Sequence, residues 1–326
     1  MSCGRLICYL LRRFGSRVWA NSLHRDGTTG TILTWQIAHV AANKPVSTVP
    51  FDGVMLVVAP HMDDEMLACG ATLAAVEDKR LVNVIYATDG ARSPVPELPW
   101  GTRPDRALVA VRETEARAAL ASLGIPVGNA TFLGLADGAL KRRERELTTR
   151  LAEEIRRLQP GHVFAPFRMD RHPDHLAVHR ATVEALRITG SRALLNEYFV
   201  YFRWRLLPGG DIRKMIRDEL LTCIPVAGHA AAKRRALACY VSQTTRFFSW
   251  QTRAILAAGN LEEVCSAPEC FLQTDVASRG RRILARLPVW THCAHVLEPR
   301  LKRSKEWSKS LFRWLAGGFT RDGTPG

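Results

Sequence analysis

The chain has 326 residues, 47% hydrophobic and 24% charged, values that suit a globular protein able to bury a core and not a disordered chain. No long uncharged apolar run exists, and no self-similarity at a period of about 20–50 residues, which excludes a multi-pass membrane protein and a repeat array. The formal charge is +15, yet 13 of those charges sit at the ends: residues 1–25 hold five Arg and no acid, and residues 279–313 hold ten Lys or Arg against Glu298 and Glu306.

Taken in chain order, LICYLL followed by Arg12-Arg13 is too short for a signal-peptide core. It leaves an interfacial contact or packing on the body. Residues 54–59 (VMLVVA) predict a buried parallel strand, because β-branched and apolar side chains run without alternation. Residues 65–76 read as a helix and 81–87 as a second strand, ending at Thr88-Asp89-Gly90. The Pro-rich residues 94–104 predict a loop over the site. A long helix spans 107–123 and turns at Gly124. Residues 130–135 form a third strand, 146–158 a helix stopped by Pro160-Gly161, and 162–166 a fourth strand. A helix begins near His175, further strands fall at 195–202 and 220–225, and 230–241 is helical. This alternation predicts an α/β, Rossmann-like three-layer fold, with a mostly parallel sheet and helices on both faces.

Near the C-terminus, Trp307, Leu311, Trp314 and Leu315 share one helical face, with Lys305, Lys309 and Arg313 off it and Gly317-Gly318 as a stop. Such a helix either lies in a bilayer interface or docks on the body. Anionic lipid would add roughly 1 kcal/mol per nearby cation. The chain therefore divides into a basic N-terminal extension (1–50), a central domain (51–245) and a basic amphipathic C-terminal extension (246–326). Nucleic acid is a weaker partner, since the aromatics match no recognition motif. Eight scattered cysteines form no C-x-x-C, so neither a zinc ribbon nor a redox dithiol is indicated. A reduced, cytoplasmic setting is the simpler expectation, with a peripheral place on the cytoplasmic face of a membrane if the tails bind it.

Two polar clusters carry the chemistry. Pro60-His61-Met62-Asp63-Asp64-Glu65 follows the first strand, and Arg171-His172-Pro173-Asp174-His175 follows the fourth. Such groups beside buried strands are costly unless they have work. In sheets of this kind ligands bind beyond the carboxyl ends of strands. His61, Asp64 and His175 offer two nitrogens and a carboxylate, which suits Zn²⁺ or Fe²⁺ with an open position for water. The ion would lower the water pKa toward ~7 and polarise a carbonyl. Asp63 could then take the proton, and His172 could stabilise an oxyanion or protonate a leaving amine. Read structurally instead, Asp63 and Asp64 would be only a helix cap.

The string APHMDDEMLACGATLA resembles the first signature of the PIG-L/LmbE-like zinc-dependent N-acetylglucosamine deacetylases, and PFRMDRHPDHLAVHRAT the second. YATDG, Arg112 with Glu115 and Leu123-Gly124, FLGLADG, and Lys233 with Tyr240-Val241-Ser242-Gln243 are similar to further landmarks, over about residues 52–245. The resemblance implies hydrolysis of an N-acetyl group from an N-acetylglucosamine-type sugar. It implies His61, Asp64 and His175 as metal ligands, Asp63 as base and His172 as assisting histidine. It also implies that Arg112 and Asp137 contact substrate, although a surface cation and a turn residue are the plain alternatives. Met62 replaces the family's proline and should loosen the loop without removing a ligand. The basic tails suggest a glycolipid or lipid-linked saccharide. A soluble glycoside, an antibiotic precursor and a non-catalytic membrane-associated binding protein on this fold stay open, with residues 94–104 and 201–211 as candidate pocket walls.

Overall fold

The computed structural model describes residues 36–37, 46–47, 51–93, 106–170, 172–203, 220–249, 251 and 253–276. The N-terminal arginines, the loop at 94–104, most of 201–211 and the predicted Trp/Leu helix lie outside the described residues.

Among the described residues eight strands form one sheet: β1 (Val46–Ser47), β2 (Met55–Ala59), β3 (Val82–Thr88), β4 (Ala130–Leu135), β5 (His162–Pro166), β6 (Leu194–Tyr198), β7 (Leu220–Ile224) and β8 (Glu269–Asp275). Their order across the sheet is β1-β7-β8-β6-β5-β2-β3-β4. β8 runs antiparallel to both its neighbours, and every other pair is parallel. The helices are α1 (Asp64–Ala75), α2 (Arg106–Ser122), α3 (Glu144–Leu158), α4 (Pro173–Thr189), α5 (Ala230–Ala238), α6 (Val241–Thr244) and α7 (Ala258–Ser266).

The unbroken apolar run of β2 is explained by its two covered faces. Met55, Val57 and Ala59 join a core with side chains of α1, α2 and α5; Leu56 and Val58 join a second core with α3 and α4. α3 buries Leu147, Leu151 and Ile155, four residues apart, and turns its charges outward. It ends where Gln159 adopts a left-handed conformation and its N–H bonds the Ile155 carbonyl. α4 starts with Pro173, whose missing N–H is no loss there, and stops at Gly190 with φ +65°. Among the described residues no helix is long and apolar enough to cross a membrane.

Three details differ from the sequence reading. The predicted helix over 230–241 stops at Ala238 and resumes as the single turn α6 after Tyr240, whose backbone is not helical. β6 ends at Tyr198, where the backbone turns to let Phe167 N–H bond the Tyr198 carbonyl at 2.7 Å. β8 was not anticipated; it lies inside the span assigned to the C-terminal extension, yet fills the sheet between β6 and β7.

β2 leads to β3 and β4 on one side, and the chain then returns to β5 on the other. The crevice between the carboxyl ends of β2 and β5 is thus the topological switch point, the place where such sheets bind ligands.

Candidate active site at the switch point

His61, Met62, Asp63 and Asp64 follow β2, and His172, Asp174 and His175 follow β5 at the start of α4. Thr88 on β3 fixes the turn after β2: its N–H and hydroxyl both donate to the Pro60 carbonyl, at 3.0 and 2.8 Å. Asp64 and Glu65 fill the first turn of α1, where the helix dipole favours negative charge. A cavity of about 300 Å³ opens here, with Asp63, Asp64, Arg112, Asp137, His172 and Tyr201 in its wall.

The predicted ligand set comes together around one oxygen. Asp64 Oδ2 lies 3.2 Å from His61 Nδ1 and 3.2 Å from His175 Nε2. On the far side of the His175 ring, Nδ1 is 3.2 Å from Asp170 Oδ2, an orientation that leaves Nε2 for a cation. His175 Nε2 is buried and makes no hydrogen bond of good geometry despite its closeness to Asp64. The ring nitrogens of His61, His172 and His175 also lie within 4.8 Å of one another. Asp63, Asp64, Asp137, Asp170 and Asp174 are all buried here with Arg112 among them. Burial alone would lower His61 and His175, but neighbouring carboxylates win: Asp137 raises His61, and Asp64 with Asp170 brings His175 to about 9. Burial would raise Asp64, yet His175 and His61 hold it well below the carboxylate range. A pocket that draws protons onto two histidines in this way fits a divalent cation.

Asp63 stands apart from this set. Its backbone has φ +134°, a conformation rare for any residue with a Cβ. Its carbonyl accepts from the N–H of Met66 and Leu67, and its own N–H donates to Glu65 Oε2 at 3.2 Å. Burial pushes the Asp63 carboxyl up to about 8, opposed by the guanidinium of Arg112, 3.6 Å away. Arg112 is itself buried; it donates to the carbonyls of Met62, Gly90 (3.5 Å) and Ser93 (3.3 Å). It therefore braces the turn and faces Asp63, and is not a surface cation. Met62 is fully buried and its carbonyl is held by Arg112. The loosening expected from loss of proline is offset by packing and this bond.

His172 caps α4, accepting the Asp174 N–H on Nδ1 at 3.3 Å. In its neutral form the proton must then be on Nε2. Burial, then the charges of His61 and His175, push His172 down to about 3, so it is neutral at ordinary pH. Its ring stacks on Tyr201, 5.1 Å between centroids. Asp137 is not a free turn residue. It accepts the Arg92 N–H at 3.0 Å and places Oδ1 3.3 Å from His61 Nε2. Burial opposes the His61 charge, which nonetheless holds Asp137 below its ordinary range.

Several contributors were missed from sequence. Asp170 lies in the same string as His175, and its spacing of five residues was the available signal. Asp174 Oδ2 sits 3.3 Å from His61 Nε2 and accepts the Gly138 N–H at 2.7 Å; Oδ1 accepts from Leu140 N–H. Glu65 is fully buried; Tyr86 donates to its Oε1 at 3.0 Å, and Tyr240 donates to the same oxygen. Burial pushes Glu65 up to about 7 against those bonds. The downstream landmarks support this layer. Ser242 N–H and hydroxyl both donate to Glu115 at 2.6 Å, and Gln243 Nε2 donates to the Ser93 carbonyl at 3.1 Å. Lys233 Nζ pairs with Glu269 at 2.6 Å and donates to the Leu67 carbonyl of α1.

A Rossmann-like α/β fold with a buried His/Asp cluster at its switch point defines the class: an enzyme scaffold with a cation-fitting hydrolytic site. Residues 56–186 match the family profile described as "PIG-L: GlcNAc-PI de-N-acetylase". A curated relative, the 1D-myo-inositol 2-acetamido-2-deoxy-α-D-glucopyranoside deacetylase of Rhodococcus jostii (strain RHA1), is 27% identical over 241 residues, covering 59% of this chain and 82% of the relative. The fold matches N,N′-diacetylchitobiose deacetylase from Pyrococcus horikoshii with a TM-score of 0.51 at 18% identity, over 79% of this chain and 97% of that one. A deacetylase triple mutant of the teicoplanin biosynthetic pathway aligns with a TM-score of 0.49 and 21% identity, over 68% and 98% of the two chains.

Proposed function

We propose that the protein is a divalent-metal-dependent N-deacetylase that releases acetate from an N-acetylglucosamine unit joined to an inositol. The observation that carries the metal dependence is Asp64 seated between His61 and His175, with His175 Nε2 lacking a hydrogen bond and aimed at the same carboxylate. The inositol-linked sugar is supported by the description of the matching family and by the name of the Rhodococcus relative.

His61, Asp64 and His175 would hold the cation, zinc or iron(II), which supplies Lewis acidity and makes water more acidic when bound. Asp63 would take the proton of the attacking water and return it to the departing amine. Arg112 keeps the Asp63 carboxylate next to positive charge, which favours its ionised form. His172, neutral with its proton on Nε2, donates a hydrogen bond where negative charge grows on the amide oxygen. Asp137 would orient His61 through Nε2 and, as part of the cavity wall, would face the sugar.

The test is amine release by purified, zinc-loaded full chain, with Asp63→Ala as control. Substrates are N-acetylglucosaminyl-inositol, its phosphatidylinositol form, a polyprenyl-phosphate-linked N-acetylglucosamine and N-acetylparomamine. Turnover of an inositol conjugate supports the reading. Release only from another member keeps the deacetylase and rejects the inositol. Silence of all four despite bound metal favours a binding protein on this fold. The tail charge is the reason to add a membrane arm, because a lipid-anchored substrate would be met at a cytoplasmic, anionic surface. Anionic liposomes should retain the full chain and release a chain cut at residue 276; equal retention rejects the membrane contact.

A further inference from the structure

The sheet brings together two cysteines that are far apart in sequence. Cys223 on β7 and Cys270 on β8 are 47 residues apart and directly opposite across the antiparallel ladder. Residues so opposed have Cα atoms about 4.5–5.5 Å apart, inside the range of roughly 4.4–6.8 Å that a disulfide needs. Their Sγ atoms already approach to 3.0 Å. That is about 1 Å beyond the S–S bond length of about 2.0 Å.

The two thiols are unequal. Cys223 is half-buried, whereas Cys270 is 2% exposed. The hydrogen bond between them holds the Cys223 thiol below its ordinary range and pushes Cys270 up. The positive charge of Arg203 favours the thiolate form of both. A partly exposed thiol beside a cation is the setting in which cysteines react, because the thiolate is the nucleophile. Among the described residues no other pair of cysteines makes a sulfur–sulfur contact.

We propose that Cys223 and Cys270 form a reversible disulfide that staples β7 to β8, made by exchange with a low-molecular-weight disulfide. The Cys223 thiolate attacks one sulfur of the small disulfide, breaking its S–S bond and releasing one small thiolate, which takes up the proton that Cys223 gave to solvent. Cys270 then loses its proton and attacks the Cys223 sulfur of the mixed disulfide, expelling the second small thiol. The two cysteines are oxidised by two electrons, and the small disulfide is reduced to two thiols. The staple bears on α1, because Glu269, the neighbour of Cys270, accepts the Ala71 and Thr72 N–H groups at 2.8 and 2.7 Å and pairs with Lys233.

The test is peptide mapping of the full chain after equilibration in glutathione buffers of increasing disulfide fraction, with free thiols alkylated before digestion. The expected result is a linked pair of peptides carrying Cys223 and Cys270, lost on adding dithiothreitol. The oxidised protein should melt several degrees above the reduced one, and Cys223→Ser should abolish that difference. Complete alkylation of both thiols at the most oxidising ratio overturns the proposal, as does preferential pairing of either with another cysteine. Should the variant fail to fold, the map of the unaltered chain decides alone.

Discussion

The two sides of the sheet differ in kind. On one side, β4, β3, β2, β5 and β6 run parallel, alternate with helices and deliver every residue proposed for chemistry. On the other, β8 is wedged antiparallel between β6 and β7, with the two-residue β1 at the edge. Among the described residues that side sends no side chain to the proposed cation site, but Glu269 reaches from β8 into α1 and is met by Lys233. A shared helix divides the labour: its N-terminus holds the carboxylates proposed for chemistry, and its middle is anchored from the opposite side.

Perturbing the two sides should therefore give opposite signatures. Dialysis against a chelator should remove amine release entirely, and zinc or iron(II) should restore it while far-UV circular dichroism stays constant. Asp63→Asn should lower kcat by about 10²–10⁴ without lowering the denaturant midpoint. Glu269→Ala should do the reverse, costing about 3–5 kcal/mol in urea unfolding because Lys233 is left charged, buried and unpaired. If Glu269→Ala leaves stability intact and abolishes activity, the division is wrong. Tyr240→Phe, which removes one of two hydroxyls on Glu65, should cost a smaller ~1–3 kcal/mol and raise KM little. The smallest effect concerns pH. Burial lowers the pKa of His179, whose Nδ1 lies 3.0 Å from the Pro166 carbonyl. The unfolded state then binds the extra proton, so this contribution is full above the ordinary value of 6.5 and fades as pH falls. His179→Gln should flatten the urea midpoint between neutral and mildly acidic pH.

The parallel side was legible because its signals are local. Residues 54–59 announce a strand covered on both faces, and His61, Asp63 and Asp64 announce a polar cluster within the next turn. The other side depends on contacts that close late. Nothing in ECFLQTD says that it inserts between strands formed some fifty and seventy residues earlier. Glu65 was passed over because an acid in a helix's first turn has an ordinary explanation, the dipole. Only the fold shows Tyr86 and Tyr240 converging on it from β3 and from the break before α6. Cys223 and Cys270 escaped for the same reason: motif spacing along the chain is blind to a neighbour across a ladder.

The backbone of Asp63 has a consequence for how the protein can change. A non-glycine residue at φ +134° costs on the order of 1–3 kcal/mol. Glycine would relieve that strain, so Asp63→Gly should fold more stably than Asp63→Ala while being equally inactive. Selection for thermal tolerance alone would drift toward glycine at this position and silence the enzyme. The aspartate is a mark of opposed demands, since the position proposed for the base is one that folding by itself would give away.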